Sequence, residues 1–296
     1  MLRRFHRVAI SPDVSLTDET LNTIRSLSTK DILFLEERVG KFELEPEAFE
    51  SIDALISGWC TILDRNFLSR FPRLKYVGLR ATSTHYVDIP YLQSNDVCLT
   101  TLKSYGDRGT AEFVIETIMT YCRKTRMAAG CLPSEVGSKR LGLVGFGSVG
   151  KLVARMAGGL GIDVSYYHPS GPDAAHSHSV NFLPLHELLS RSDWISFHTP
   201  AFRIVLSSQE FELIRRGTQI IVTTLGLPFT IEDFSAFTRR EHYRTVFDLC
   251  AAHQYVEDLT RLPNVEVVKF FSARTEESVR RAEQQLLENI YCYLRI

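Results

Sequence analysis

Residues 141–150 read Leu-Gly-Leu-Val-Gly-Phe-Gly-Ser-Val-Gly, a G-x-G-x-x-G turn between a strand-like run, Arg140–Val144, and a helical one, Lys151–Ala157. A second strand-like run, Asp163–Tyr167, follows Gly161. In that setting each glycine has a task. Gly145 permits the sharp exit from the strand, Gly147 lets the main chain approach a pyrophosphate, and Gly150 brings the helix close to the sheet. Phe146, Ser148 and Val149 complete the turn, and the helix aims its first N–H groups at the phosphates. A dinucleotide site is expected.

A chain of 296 residues has room for two domains with separate cores. Its 44% hydrophobic and 23% charged residues are those of a soluble globular protein. A net charge of −1 offers nothing to attract nucleic acid or an anionic membrane. No apolar run approaches the ~20 residues of a membrane span, so a cytoplasmic location is expected. The six cysteines form no C-x-x-C pair, which points to reduced thiols. His176 and His178 sit in a polar loop without Cys or carboxylate support, and no metal is expected there.

Short Val/Ile/Leu-rich runs alternate with helical ones from the start. Arg7–Ser11, Asp31–Glu36, Asp53–Ser57, Leu74–Leu79 and Asp96–Thr100 read as strands; Thr17–Leu27, Pro46–Ser51 and Asp64–Phe71 read as helices. Asp107–Lys124 is one long helix with Ala111, Val114, Ile115, Ile118, Met119 and Cys122 on its apolar face. From Arg140 onward six strands are expected, the last four being Trp194–Phe197, Gln219–Thr223, Thr245–Leu249 and Val265–Val268. The helices between them are Leu185–Ser190, Ser207–Arg215 and Ile231–Phe237, and Glu276–Leu294 closes the chain. The pattern predicts an α/β fold of two Rossmann-like lobes with doubly wound parallel sheets. Residues 1–105 form the substrate-side lobe, 106–274 the dinucleotide-binding domain, and a C-terminal helix within 275–296 crosses back to the first lobe.

Ordered motifs through nearly the whole chain resemble the D-isomer-specific 2-hydroxyacid dehydrogenase family. They include Phe71-Pro-Arg-Leu-Lys75, Val87-Asp88-Ile89, Gly109-Thr-Ala-Glu112, the glycine turn, and Leu188–Asp193 followed by His198-Thr-Pro200. Gln219–Gly226, Phe247-Asp248-Leu249 and Leu262-Pro-Asn-Val265 follow in the family's order. The resemblance implies a nicotinamide cofactor, NAD(P)(H), a small-molecule substrate between the lobes, and a homodimer. It also implies an arginine that clamps the substrate carboxylate and a histidine, held by a glutamate, that trades a proton with the substrate oxygen. Their positions here carry Leu225, Phe270 and His253 respectively. All three groups are replaced.

Leu225 has no donor for a carboxylate and Phe270 cannot move a proton. The resemblance places Thr199 and Pro200 under the adenosine ribose and Thr223–Thr224 beneath the nicotinamide. It makes Asp248 the acceptor of the nicotinamide amide, with a cap at the strand's end as the alternative. Where an acidic ribose reader is expected the sequence is Tyr167-His168-Pro169-Ser170. His168 and Ser170 tolerate a 2′-phosphate better than a carboxylate would, which tips the balance slightly to NADP(H). Two functions follow. One is a redox enzyme acting on an apolar ketone, imine or enone, with His253 as proton donor and Lys103 as a replacement cation. The other is a catalytically inactive dinucleotide-binding sensor or scaffold.

Overall fold

Runs of three to five aliphatic residues, each ended by a polar or glycine turn, become buried parallel strands in this chain, and the longer amphipathic runs become the helices that cover them. The computed structural model describes residues 4–38, 41–42, 46–124, 132–173, 180–239 and 243–295. It divides into two units, Met1–Tyr105 with Glu276–Ile296, and Gly106–Thr275.

The first unit runs β1 (Val8–Ile10), α1 (Asp18–Ser26), β2 (Leu33–Phe34), a small hairpin of β3 (Glu37–Arg38) and β4 (Lys41–Phe42), then α2 (Pro46–Glu50) and β5 (Ala54–Ser57). It continues with α3 (Arg65–Leu68), β6 (Tyr76–Leu79), α4 (Ile89–Ser94) and β7 (Cys98–Thr100). Its sheet has the order β2-β1-β5-β6-β7, all parallel. Side chains alternate across it as the pleat requires. Val8, Ile10, Ala54 and Ile56 pack on one face, Ala9, Leu55, Val77 and Leu79 on the other.

The second unit holds α5 (Asp107–Lys124), β8 (Arg140–Val144), α6 (Ser148–Gly159), β9 (Asp163–Tyr167), β10 (Asn181–Phe182), α7 (Leu185–Arg191) and β11 (Trp194–Phe197). After these come α8 (Ser208–Leu213), β12 (Gln219–Val222), α9 (Ile231–Thr238), β13 (Arg244–Phe247), α10 (Leu249–Ala252), α11 (Val256–Thr260) and β14 (Val265–Val267). The sheet order is β10-β9-β8-β11-β12-β13-β14. The expected six strands are therefore seven, because Asn181–Phe182 pairs with β9 at the edge. On one face α5 and α6 bury Val114, Ile118, Val153 and Ala157; on the other lies a cluster rich in phenylalanine, including Phe211, Phe229, Phe234 and Phe247. Met119, expected on the buried stripe of α5, is 45% exposed, and Phe113 and Tyr121 are buried instead.

The last helix, α12 (Glu276–Leu294), packs in the first unit, with Leu286, Ile290 and Leu294 beside Val8, Ile10 and Tyr76. A buried carboxylate fastens it. Glu283 accepts from the Thr17 backbone N–H (2.8 Å) and from the Thr17 and Thr20 hydroxyls (2.6 and 2.7 Å), so one side chain of α12 holds the first turn of α1. Glu283→Ala strands three donors, and a loss of about 3 kcal/mol in a urea melt is expected.

Candidate active site

Chain order reverses between β8 and β11, so these parallel neighbours open a crevice beyond their carboxyl ends, where α/β sheets bind ligands. The glycine turn lies there. Gly145 has φ +102° and leaves 2.3 Å between an added Cβ and the His198 carbonyl oxygen. At Gly150 a Cβ would come within 2.5 Å of the Gly145 carbonyl oxygen. Gly147 differs: a Cβ there meets nothing within 4 Å, and the residue caps α6 with an ordinary φ of −79°. Two glycines are thus closed by main chain, and the middle one faces open space. Beside them Thr199 Oγ1 is buried with no hydrogen-bond partner. An open glycine at a helix N-terminus next to an unused hydroxyl suits a pyrophosphate-bearing dinucleotide.

His198, which follows β11, ties the crevice together. Its backbone N–H donates to the Val144 carbonyl (2.8 Å), and its Nε2 lies 3.0 Å from the buried Ser196 Oγ. Burial pushes its pKa down to about 3, so the imidazole is neutral. The unfolded chain binds this proton near pH 6.5 and the folded one does not, so the contribution is present above that pH and lost as the pH falls toward 3. Urea melts between these limits should show that slope in the parent and a shallower one in His198→Gln.

The other expected cofactor residues divide by exposure. Gly147, Ser148, Pro200 and Ser170 are exposed, and Val149, His168, Thr199 and Thr223 are half-buried along the same edge. Three side chains turn inward. Phe146 is buried and stacks on Tyr166 at 3.8 Å between ring centres. Thr224 is buried and donates to the Gly226 carbonyl (2.8 Å). Asp248 is 1% exposed and caps α10 by accepting from the Ala251 N–H (2.7 Å). Its second oxygen accepts from the Ser272 hydroxyl (2.6 Å) and N–H (3.2 Å). Burial raises its pKa more than those hydrogen bonds lower it. The cap at the strand's end is the geometry observed.

After β9 the turn His168–Gly171 closes through the Gly171 N–H to the His168 carbonyl, and His168 Nδ1 accepts from the Ser170 N–H (3.2 Å). The first acid beyond it, Asp173, is ion-paired to Lys151 of α6 at 2.7 Å. Apolar side chains lie beyond the ends of β12 and β14. Leu225 is half-buried, the Phe202 ring lies against Gly226, and Phe270, 52% exposed, packs edge-on to Phe113. His253 is exposed after α10 with φ +34°, a strained backbone for a non-glycine residue. In the first unit, Lys103 is exposed, and its N–H and carbonyl are gripped by Gln285 of α12.

Sequence reasoning passed over His198, Ser272 and Phe202. His198 stood inside a quoted motif, and the Trp194–Phe197 strand before it was the available signal for its burial. Nothing local marks Ser272 or Phe202. Among the described residues no His/Cys/Asp/Glu group is arranged to hold a metal, and no helix is long and apolar enough to cross a membrane. His176 and His178 lie outside the described residues. Cys60, Cys98, Cys122, Cys250 and Cys292 are free thiols.

Residues 114–269 match the family model described as D-isomer specific 2-hydroxyacid dehydrogenase, NAD binding domain. A glyoxylate reductase of Thermococcus litoralis is 23% identical over 276 residues, 84% of this chain and 82% of that protein. Two solved structures share the fold. An acyclic imino acid reductase in complex with NADPH and D-Arg has a TM-score of 0.80 at 22% identity, over 98% of this chain and 97% of that one. The D-lactate dehydrogenase from Aquifex aeolicus, complexed with NAD and lactic acid, has a TM-score of 0.81 at 18% identity, over 97% and 95%.

Proposed function

The chain belongs to the D-isomer specific 2-hydroxyacid dehydrogenase family, and from that premise we propose that it is an NAD(P)-dependent oxidoreductase whose substrate end has been rebuilt. The carrying observation is the contrast within one sheet edge. The glycine turn, with its open Gly147 and the unpartnered Thr199 hydroxyl, is intact, while the positions that the resemblance assigns to acid–base and carboxylate-binding groups hold Phe270, His253 and Leu225. When bound, the cofactor supplies hydride transfer. The protein's part is to seat the pyrophosphate on the first turn of α6 and to surround the substrate with apolar groups. Leu225 desolvates whatever lies beside it without offering a donor, which disfavours a carboxylate. An apolar ketone, imine or enone is the substrate class that fits.

His253 is the proposed proton donor, being an exposed imidazole. Lys103 is the proposed cation for a polar substrate group. The acyclic imino acid reductase lends support to the imine branch, since a protein of this fold is named for that chemistry. With His168 and Ser170 where an acid would read the ribose, NADPH is proposed as the tighter ligand. A cytoplasmic homodimer is the proposed form. The simultaneous replacement of three polar groups favours a second reading, a dinucleotide-binding protein without turnover.

Titration with NADH and NADPH, followed by a screen of imines, apolar ketones and enones for loss of reduced-cofactor absorbance, tests both. A kcat that falls in His253→Ala, with Lys103→Ala raising KM and sparing kcat, supports His253 as donor and Lys103 as the binding cation. Binding without turnover supports the second reading. Reduction of 2-oxo acids at rates typical of dehydrogenases, about 1–1000 per second, or no binding of either cofactor, overturns the proposal.

A further inference from the structure

At the opposite end of the same strands lies a second concavity. A cavity of about 530 Å³ opens at the amino ends of β8, β11, β12 and β13, one strand length, roughly 13–16 Å, from the glycine turn. Its size is that of small-molecule sites. Among the described residues its lining includes four cations, Lys139, Arg215, Arg216 and Arg244, against one carboxylate, Asp193. The whole chain has a net charge of −1, so this concentration of positive charge is local and not a reflection of composition.

Of these four, Arg215 and Arg244 are held in place. Asp193 pairs with Arg215 and, at 3.3 Å, with Arg140, so one carboxylate serves two guanidinium groups. The Arg244 guanidinium lies 5.0 Å from the centre of the Tyr121 ring, and the Tyr121 hydroxyl donates to Glu266. Burial raises the pKa of Asp193, but the hydrogen bonds and charges of Arg140 and then Arg215 outweigh it, and the carboxyl titrates below its ordinary value. That is the response of an acid in a positive field. Fixed guanidinium groups around a cavity are suited to phosphoryl oxygens, which accept their paired N–H donors.

The geometry points to a second ligand site, for a small anion carrying phosphoryl groups, at the amino edge of the dinucleotide-binding sheet. Trp194 lines this cavity and the chain has two tryptophans, so Trp59→Phe leaves Trp194 as the sole reporter. Pyrophosphate, titrated into that protein at an ionic strength held constant with KCl, should give a saturable change in fluorescence. Lys139→Glu combined with Arg216→Glu should weaken it about tenfold or more. Lys139→Gln, which removes the charge without reversing it, should weaken it less, and a thermal melt confirms that each variant is folded. Gly147→Val, which blocks only the glycine turn, should leave the titration unchanged. ADP and pyrophosphate binding alike support phosphoryl recognition; ADP binding alone would overturn it in favour of a base-binding site. A response no larger than that to KCl also overturns it, as does one lost in Gly147→Val and kept in the charge-reversed variant.

Discussion

Valine at position 147 should leave the fold intact, within about 0.5 kcal/mol of the parent, and weaken dinucleotide binding about a hundredfold or more. The residue has φ −79°, which any L-amino acid adopts, and its Cβ direction is empty to 4 Å. Nothing in the protein is displaced by the new methyl groups, but they fill the space through which a phosphate would reach the backbone. Losing two charge-assisted hydrogen bonds there accounts for about 3 kcal/mol, which is the stated factor. Gly150→Val should do the reverse. Its Cβ would lie 2.5 Å from a backbone oxygen that cannot step aside, and a destabilisation of about 3 kcal/mol is expected. Thermal melts beside cofactor titrations separate the two. Equal melting losses at 147 and 150 would show that the middle glycine is structural.

Asp248→Ala should cost about 3–5 kcal/mol, because it strands buried donors at roughly 1–3 kcal/mol each. The carboxylate accepts from the Ala251 N–H and from the N–H and hydroxyl of Ser272. Asparagine keeps one carbonyl oxygen and turns an NH2 toward donors, so Asp248→Asn should lose about half as much. The pH dependence has a definite sign. Because the folded pKa is raised, the contribution is fully present below the unfolded pKa and declines as the pH rises through the folded one. The gap between the parent and Asp248→Asn in urea melts should therefore narrow with rising pH. A widening gap would contradict the burial that raises this pKa.

Long amphipathic patterns were the most readable part of the chain. The bounds read for Asp107–Lys124 and Glu276–Leu294 coincide with α5 and α12, because several turns of consistent periodicity outweigh any single residue. Short elements were not. Asn181–Phe182 is two residues with one apolar side chain, too little for a period to be read, and the edge of a sheet supplied the partner. Ile89–Ser94 begins on an Asp88 cap with Pro90 in its first turn, a valid start signal on a helix too short to show a stripe.

At the site the same division holds. The glycine turn was legible because close backbone approach demands a particular residue. The facing of Phe146, Thr224 and Asp248 was not, because strand ends leave the pleat and tertiary contacts choose the direction. Asp248 turns inward to meet Ser272, 24 residues further along the chain. His198 was visible as part of a motif, but its neutrality comes from enclosure, which no linear pattern reports.

The placement of α12 has a consequence for the order of assembly on the ribosome. Residues 106–275 form a unit of their own, and every strand of its sheet precedes α12 in the chain. The first unit lacks Leu286, Ile290 and the clasp of Glu283 on Thr17 and Thr20 until α12 is made. The unit whose strands come earliest in the chain is completed by a helix that follows every strand of the other.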